Sequence, residues 1–469
     1  MRLSGKEKVA YGLGAVGKDM VYMLSASYVL YYYQDILGVS TVAMGIILLV
    51  ARIFDAFNDP IMGIVVARTK TKWGKFRPWL LIGTITNAVM LYFLYAAPPT
   101  LSGGGLIAYA AIFYILWGVT YTMMDIPYWS MVPAFTQSGK ERENLSALAR
   151  SCAGVGSALI SVVAIITVNA IGKAVVGEEA PSAIIERTGF KWFALIVAVL
   201  FIVFTLVTCI CIKEKSSVDM EAASVKDMFK SLIRNDQAMI MVIAIVLVNT
   251  AVYITNNLVI YFFKYDIANL SWQKDYTLFT MFGGGMQVLA MMLFFPLLRK
   301  LWNTMKIFYL SIGSAILGYA VLLAMALTGT KNIYILFIPA FFIMSAVGIL
   351  NVIVTVFLAN TVDYGEWKNN RRDESVIFSM QTFVVKLASG LAALVASLCL
   401  HVFKIGGASK DEVVTEVVKA SGSSLFGLRL TMTIIPIVVL AIAVLIFRKK
   451  YCLNDEKLKE ITTELSTRR

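Results

Sequence analysis

The residues of this chain that could do chemistry are ionisable side chains set inside long apolar runs. In "VARIFDAFNDPIMG" (50–63), Asp55 and Asp59 stand four residues apart with Asn58 beside them, so three oxygen-bearing side chains share one stripe of a helix. Such a stripe is a cage for a hard cation. Without a cation, two carboxylates this close share a proton. Both outcomes describe a site for a coupling ion, Na+ or H+. Pro60 is expected to break the helical hydrogen-bond ladder there and free backbone carbonyls, while Arg52 offers either acid a salt bridge instead. In "WGVTYTMMDIPYWS" (117–130), Thr122, Asp125 and Trp129 follow i, i+3, i+7 on one face, flanked by Trp117 and Tyr121. A carboxylate beside an indole suits a sugar. The acid accepts charge-assisted bonds from two hydroxyls, and the indole face covers the apolar C–H side of a pyranose. Trp129 also fits an interfacial aromatic belt, with Pro127 and Pro133 marking the end of the span.

A third group opens the chain. "AYGLGAVGKDM" (10–20) has the Gly12-x-Gly14-x-x-Gly17 spacing of a dinucleotide turn and ends in Lys18-Asp19. No strand precedes it, and Asp19 stands where a phosphate loop needs Ser or Thr, so nucleotide binding is excluded. The glycines instead let helices approach closely. An ionisable residue at the centre of a membrane helix costs about 3 kcal/mol or more. Lys18 can snorkel to an interface, but the short side chain of Asp19 cannot. Arg150, four residues after Ser146, can donate to sugar hydroxyls or pair with Asp19 or Asp125. In "SMQTFVVK" (379–386), Thr382 and Lys386 share a face. There Lys386 is either a charge facing the acids or half of a buried ion pair.

Long apolar elements must position these groups. The 469 residues are 59% hydrophobic and only 15% charged, against about 25% charged in soluble proteins, and mean hydropathy is +0.76. The chain reads as a polytopic membrane protein, all-α because helices satisfy their own backbone within the bilayer. About twelve spans are expected, near 9–34, 41–66, 78–98, 105–136, 146–171, 189–212, 237–264, 274–298, 305–327, 332–360, 375–403 and 425–447. The net charge of +13 gathers in alternate loops, as in "RTKTKWGKFRP" (68–78) and "WKNNRRDE" (367–374). That is a positive-inside pattern rather than a nucleic-acid surface, and it places both termini in the cytoplasm. The N-terminus lacks the pattern of a cleavable signal peptide. The five cysteines suggest no disulfide framework, and a single histidine, His401, excludes a histidine-based zinc site.

The polar stretch 213–236 divides the chain into a six-helix bundle over 1–212 and another over 237–447, with a tail over 448–469. Mixed-charge loops recur six spans apart, "KERE" (140–143) and "VDYGEWK" (362–368) with the residues after it. This hints at parallel repeats about an axis normal to the membrane, the arrangement of major facilitators. Arg142, Glu143, Asp363 and Arg372 in these loops are candidates for gating ion pairs, or simply solvated.

The motifs "YGLGAVGKDM", "LVARIFDAFNDPIMG", "WGKFRPWLLIGT", "YILWGVTYTMMDIPYWSMVP", "KERE", "VDYGEWK" and "SMQTFVVK" together resemble the glycoside–pentoside–hexuronide:cation symporters, and most of all their melibiose-permease branch. The resemblance covers nearly the whole chain. It implies a twelve-helix major facilitator that moves one cation inward per sugar, with no cofactor. It places sugar contacts at Lys18, Asp19, Tyr121, Asp125, Trp129, Arg150, Thr382 and Lys386. It places cation ligands at Asp55, Asn58, Asp59 and Thr122. Two positions depart from that branch: Asn351 stands where it has Trp, and Asn360 where it has an acid. The expected partners are a sugar, best an α-galactoside such as melibiose, a monovalent cation (Na+, Li+ or H+) and the bilayer, in a chain acting as a monomer in the cell membrane. The competing readings are proton-coupled transport of another glycoside, a lysolipid or amphiphile transporter of the same fold, and a membrane enzyme. The enzyme lacks a catalytic set, with no Gly-x-Ser-x-Gly and no histidine pair.

Overall fold

The computed structural model describes residues 3–132, 139–214, 233–369, 374–405 and 421–468, with Lys226 and Lys230 between the second and third of these stretches. They form helices throughout: α1 (Gly5–Tyr31), α2 (Thr41–Arg68), α3 (Arg77–Tyr95), α4 (Gly103–Ser130), α5 (Gly139–Val176) and α6 (Ser182–Cys211), then α7 (Asp236–Tyr261), α8 (Trp272–Leu301), α9 (Thr304–Leu327), α10 (Ile333–Asn369), α11 (Glu374–Val402), α12 (Gly422–Lys450) and α13 (Asp455–Arg468). The helices fall into two compact units, α1–α6 and α7–α13. Eleven of them, α2 to α12, are long and apolar enough to cross a membrane. In α1, Lys18, Asp19 and the tyrosines dilute the apolar run. Ile61, Ile210 and Met292 stand exposed, a surface that lipid rather than water would cover.

Capping chemistry sets the ends. Ser4 and Glu7 close a capping box on α1. Ser40 caps α2, Asn235 caps α7, Asn303 caps α9 and Ser421 caps α12. The expected spans from 41–66 onward each fall on one of α2 to α12, and α2 runs through position 60 as the span 41–66 requires. One boundary is corrected: α4 carries Pro127 inside the helix and stops at Ser130, short of the expected 136. Within the expected tail, α13 packs on α10, where Trp367 donates to Glu464 at 2.6 Å and the Lys457 ammonium lies 4.9 Å from the Trp367 ring.

Within the first unit, small residues let backbones meet. A Cβ on Gly14 would lie 2.6 Å from the Thr208 hydroxyl of α6 and 3.1 Å from the Tyr128 ring of α4. A Cβ on Gly17 would lie 3.3 Å from the Phe201 Cα. The glycine triplet is therefore a packing device. Tyr11 and Tyr128 stack at 4.4 Å, and each hydroxyl donates to the other's carbonyl at 2.6 Å, which fixes α1 on α4. Asn87 of α3 donates to the Trp117 carbonyl of α4 at 2.8 Å. At the α3 N-terminus, Glu214 accepts the backbone N–H groups of Lys75, Phe76 and Arg77. In the second unit, Thr255 donates to the Met432 carbonyl at 2.9 Å, joining α7 to α12, and Arg429 forks onto Asp266.

Candidate functional site

The first unit gathers the sequence-derived candidates into two clusters. The Tyr11–Tyr128 clamp holds α1 so that Lys18 faces α4. Its ammonium lies 2.7 Å from Asp125 and 3.2 Å from Asp19, and donates to the Tyr121 hydroxyl at 3.1 Å. Lys18 is buried, so it does not snorkel. Trp129 turns inward: its indole N–H donates to the same Asp125 oxygen at 3.1 Å, and the Lys18 ammonium sits 5.1 Å from its ring. That geometry replaces the interfacial-belt reading of Trp129. Arg150 lies against the same indole, its guanidinium 5.2 Å from the Trp129 ring. Lys18, not Arg150, is the cation paired with the two acids. One buried cation between two carboxylates, walled by an indole and a phenol, offers charged acceptors and an apolar face together. That is the chemistry that binds a polyhydroxylated ring.

The second cluster lies between α2 and α4. Thr122 donates to Asp59 at 2.9 Å. Asp55 takes the alternative partner named above: Arg52 donates to it at 3.2 Å, and both side chains are almost wholly buried. Two tyrosines flank the guanidinium, Tyr22 at 5.7 Å and Tyr114 at 5.8 Å from ring centroid. Asn58 lies next to Asp59, and its amide nitrogen is buried without a hydrogen-bond partner. Gly118 is needed here, because a Cβ on it would lie 2.5 Å from an Asp55 oxygen. The carboxylates are thus held apart by different partners, one by a guanidinium and one by a hydroxyl. The amide of Asn58 and the Thr122–Asp59 pair supply neutral and charged oxygens of the kind a hard cation takes.

Lys386 lies half-buried on α11, in the second unit. Asp363 is half-buried on α10. The Thr382, Arg142 and Glu143 side chains, and Arg372 altogether, lie outside the described residues. Near the end of α10 the structure holds a group that sequence reasoning missed: Asp236 pairs with Lys368 and accepts from the Tyr364 hydroxyl at 3.1 Å. Its signal was the Val-Asp-Tyr-Gly-Glu-Trp-Lys motif, whose partner lies far off in the chain. The Tyr22 and Tyr114 walls of Arg52 were missed for the same reason.

Charges buried on facing helices of a polytopic membrane protein mark a functional site inside the bilayer. The comparisons give its class. Residues 10–455 match the model of the MFS/sugar transport protein family, and the chain belongs to that family. It is 28% identical to the uncharacterized symporter YjmB of Bacillus subtilis over 99% of this chain and 96% of that protein. It is 29% identical to a lactose permease of Lactobacillus delbrueckii subsp. bulgaricus over 98% of this chain and 72% of that one. An isoprimeverose transporter of Lactiplantibacillus pentosus is 29% identical over 84% of this chain and 79% of its own. Among solved structures, a mutant of the nucleoside transporter NupG aligns with TM-score 0.65 at 13% identity over 94% of this chain and 100% of that one. The xylose transporter XylE from E. coli aligns at 0.59 and 12% identity over 95% and 97%. These likenesses give the major facilitator fold. The chain is a multi-pass integral membrane protein of the plasma or inner membrane, a secondary active transporter of a small polar solute and not an enzyme. It is a sugar or glycoside symporter related to lactose permeases and other symporters, and these relatives do not single out the melibiose branch.

Proposed function

We propose that the protein imports a neutral glycoside, best an α-galactoside such as melibiose, by symport with Na+ or Li+, through twelve spans with both termini cytoplasmic. The observation that carries this reading is the Lys18–Asp125 pair at 2.7 Å with the Trp129 indole bonded to the same carboxylate. Sugar hydroxyls exchange into this network at Asp125, Asp19, Tyr121 and Arg150, and the ring stacks on Trp129; Thr382 and Lys386 complete the sugar set. The cation binds at Asp55, Asn58, Asp59 and Thr122. Thr122 and Asp125 share one face of α4, so ordering Thr122 around a cation fixes the helix turn that presents Asp125. Sugar then raises cation affinity by the same factor that the cation raises sugar affinity. The Asn58 amide oxygen is a neutral ligand, which supports a metal ion over a bare proton, and its amide nitrogen is buried without a hydrogen-bond partner. Gating ion pairs among Arg142, Glu143, Asp363 and Arg372 belong to the same reading.

The test is uptake of labelled melibiose into proteoliposomes with and without an inward Na+ gradient, beside Asp55→Cys. Gradient-driven uptake, lost in the variant, is expected. Uptake that ignores Na+, Li+ and H+ gradients alike overturns the coupling. Na+-driven uptake of a different glycoside keeps the mechanism and assigns the substrate difference to Asn351.

A further inference from the structure

Just before α7 the second unit carries a basic groove, apart from the clusters described above. Lys226, Lys230 and Arg234 are helical and spaced by four, so they follow one face. With Ile233 they line an open space of about 360 Å³. All four side chains are exposed, Ile233 at 73%. In the sequence 226–235, Asp227 is the one acid. The next acid, Asp236, is engaged by Lys368 and the Tyr364 hydroxyl.

The root of the groove is fixed to its unit. The Asn235 side chain accepts the Ala238 N–H at 3.0 Å and donates to the Thr361 carbonyl of α10 at 2.7 Å. Asn369 donates to the Arg234 carbonyl at 3.2 Å. Gln237 holds the end of α12 alongside: its amide donates to the Lys450 carbonyl at 3.4 Å and accepts the Cys452 N–H at 2.9 Å. That end carries Arg448, Lys449 and Lys450, all exposed. Six cations therefore gather where the apolar span α7 begins and the apolar span α12 ends. Lipid headgroups lie at the ends of spans, and a cation there strengthens binding of anionic lipid about fivefold. The exposed Ile233 favours a lipid over a free phosphate, because acyl carbons cover it and a phosphate leaves it in water.

We propose that the groove of Lys226, Lys230, Ile233 and Arg234 binds one anionic phospholipid by its phosphate, with the acyl chains against Ile233. The test is native mass spectrometry of the full-length protein in detergent, with palmitoyl-oleoyl phosphatidylglycerol or phosphatidylcholine added. The parent protein is expected to hold one phosphatidylglycerol at least about tenfold more tightly than phosphatidylcholine. Lys226→Gln/Lys230→Gln/Arg234→Gln changes only exposed side chains and should lose that preference. Lys70→Gln/Lys72→Gln/Lys75→Gln removes the same charge from the α2–α3 loop and should keep it. Ile233→Asn should weaken phosphatidylglycerol about threefold, and millimolar inorganic phosphate should not displace it. Equal affinity of the parent protein for the two lipids, or the same loss in both triple variants, overturns the site. Displacement by inorganic phosphate with no effect of Ile233→Asn makes it a phosphate site and overturns the lipid. Binding of a hexaglutamate peptide in place of phosphatidylglycerol, lost in the first triple variant, assigns the groove to an acidic protein segment instead.

Discussion

Arg52 is the residue whose removal tests the coupling site most directly. It and Asp55 are almost fully buried and joined at 3.2 Å. While the guanidinium neutralises Asp55, a cation gains little from that carboxylate. Arg52→Met keeps a flexible, polarisable side chain against Tyr22 and Tyr114 but removes the counter-charge. Removing one partner of a buried pair costs about 3–5 kcal/mol. A cation that binds in its stead offsets part of this, about 2.7 kcal/mol at a hundred times its Kd. Losing the competing charge-assisted bond, worth about 1.5–3 kcal/mol, tightens Na+ binding by roughly ten- to a hundredfold. The assay is thermal unfolding of the purified protein in choline chloride and in NaCl. The variant is expected to melt below the parent protein in choline, and NaCl should raise its midpoint by more than it raises the parent's. Equal Na+ responses in the two proteins would refute the idea that Arg52 competes with the cation.

Three further outcomes are expected. Trp129→Phe keeps an aromatic face but loses the indole bond to Asp125 at 3.1 Å; solute affinity should fall about tenfold with Na+ affinity unchanged, measured by equilibrium binding, and an unaltered solute affinity would remove Trp129 from the site. Gly118→Ala would put a methyl 2.5 Å from an Asp55 oxygen, so Na+-driven uptake should be lost while the protein still inserts and extracts as a monodisperse species; normal coupling would show that Asp55 can move without consequence. Glu214→Gln removes the charged acceptor of three backbone N–H groups at the α3 N-terminus, and trypsin should cut within 68–77 several times faster, a rate that stays constant if the cap does not hold that loop.

The sequence alone determined the class of molecule. Apolar runs of about twenty residues, with charges confined to loops and a few membrane positions, form helices, because in hydrocarbon each run must satisfy its own backbone. Spacing put Thr122, Asp125 and Trp129 on one face and Asp55 beside Asp59, since helical periodicity is local. It could not choose partners. Arg52 could have taken either acid, and Lys18 could have reached the surface. Only packing decided, by setting α1 against α4 through the Tyr11–Tyr128 clamp and α2 against α4 at Gly118. Asn249, Gln287 and Asn351 line one cavity of the second unit, which no local pattern shows, because they are distant in the chain, carry no charge and share no motif. Neutral residues announce themselves only when the fold brings them to one wall.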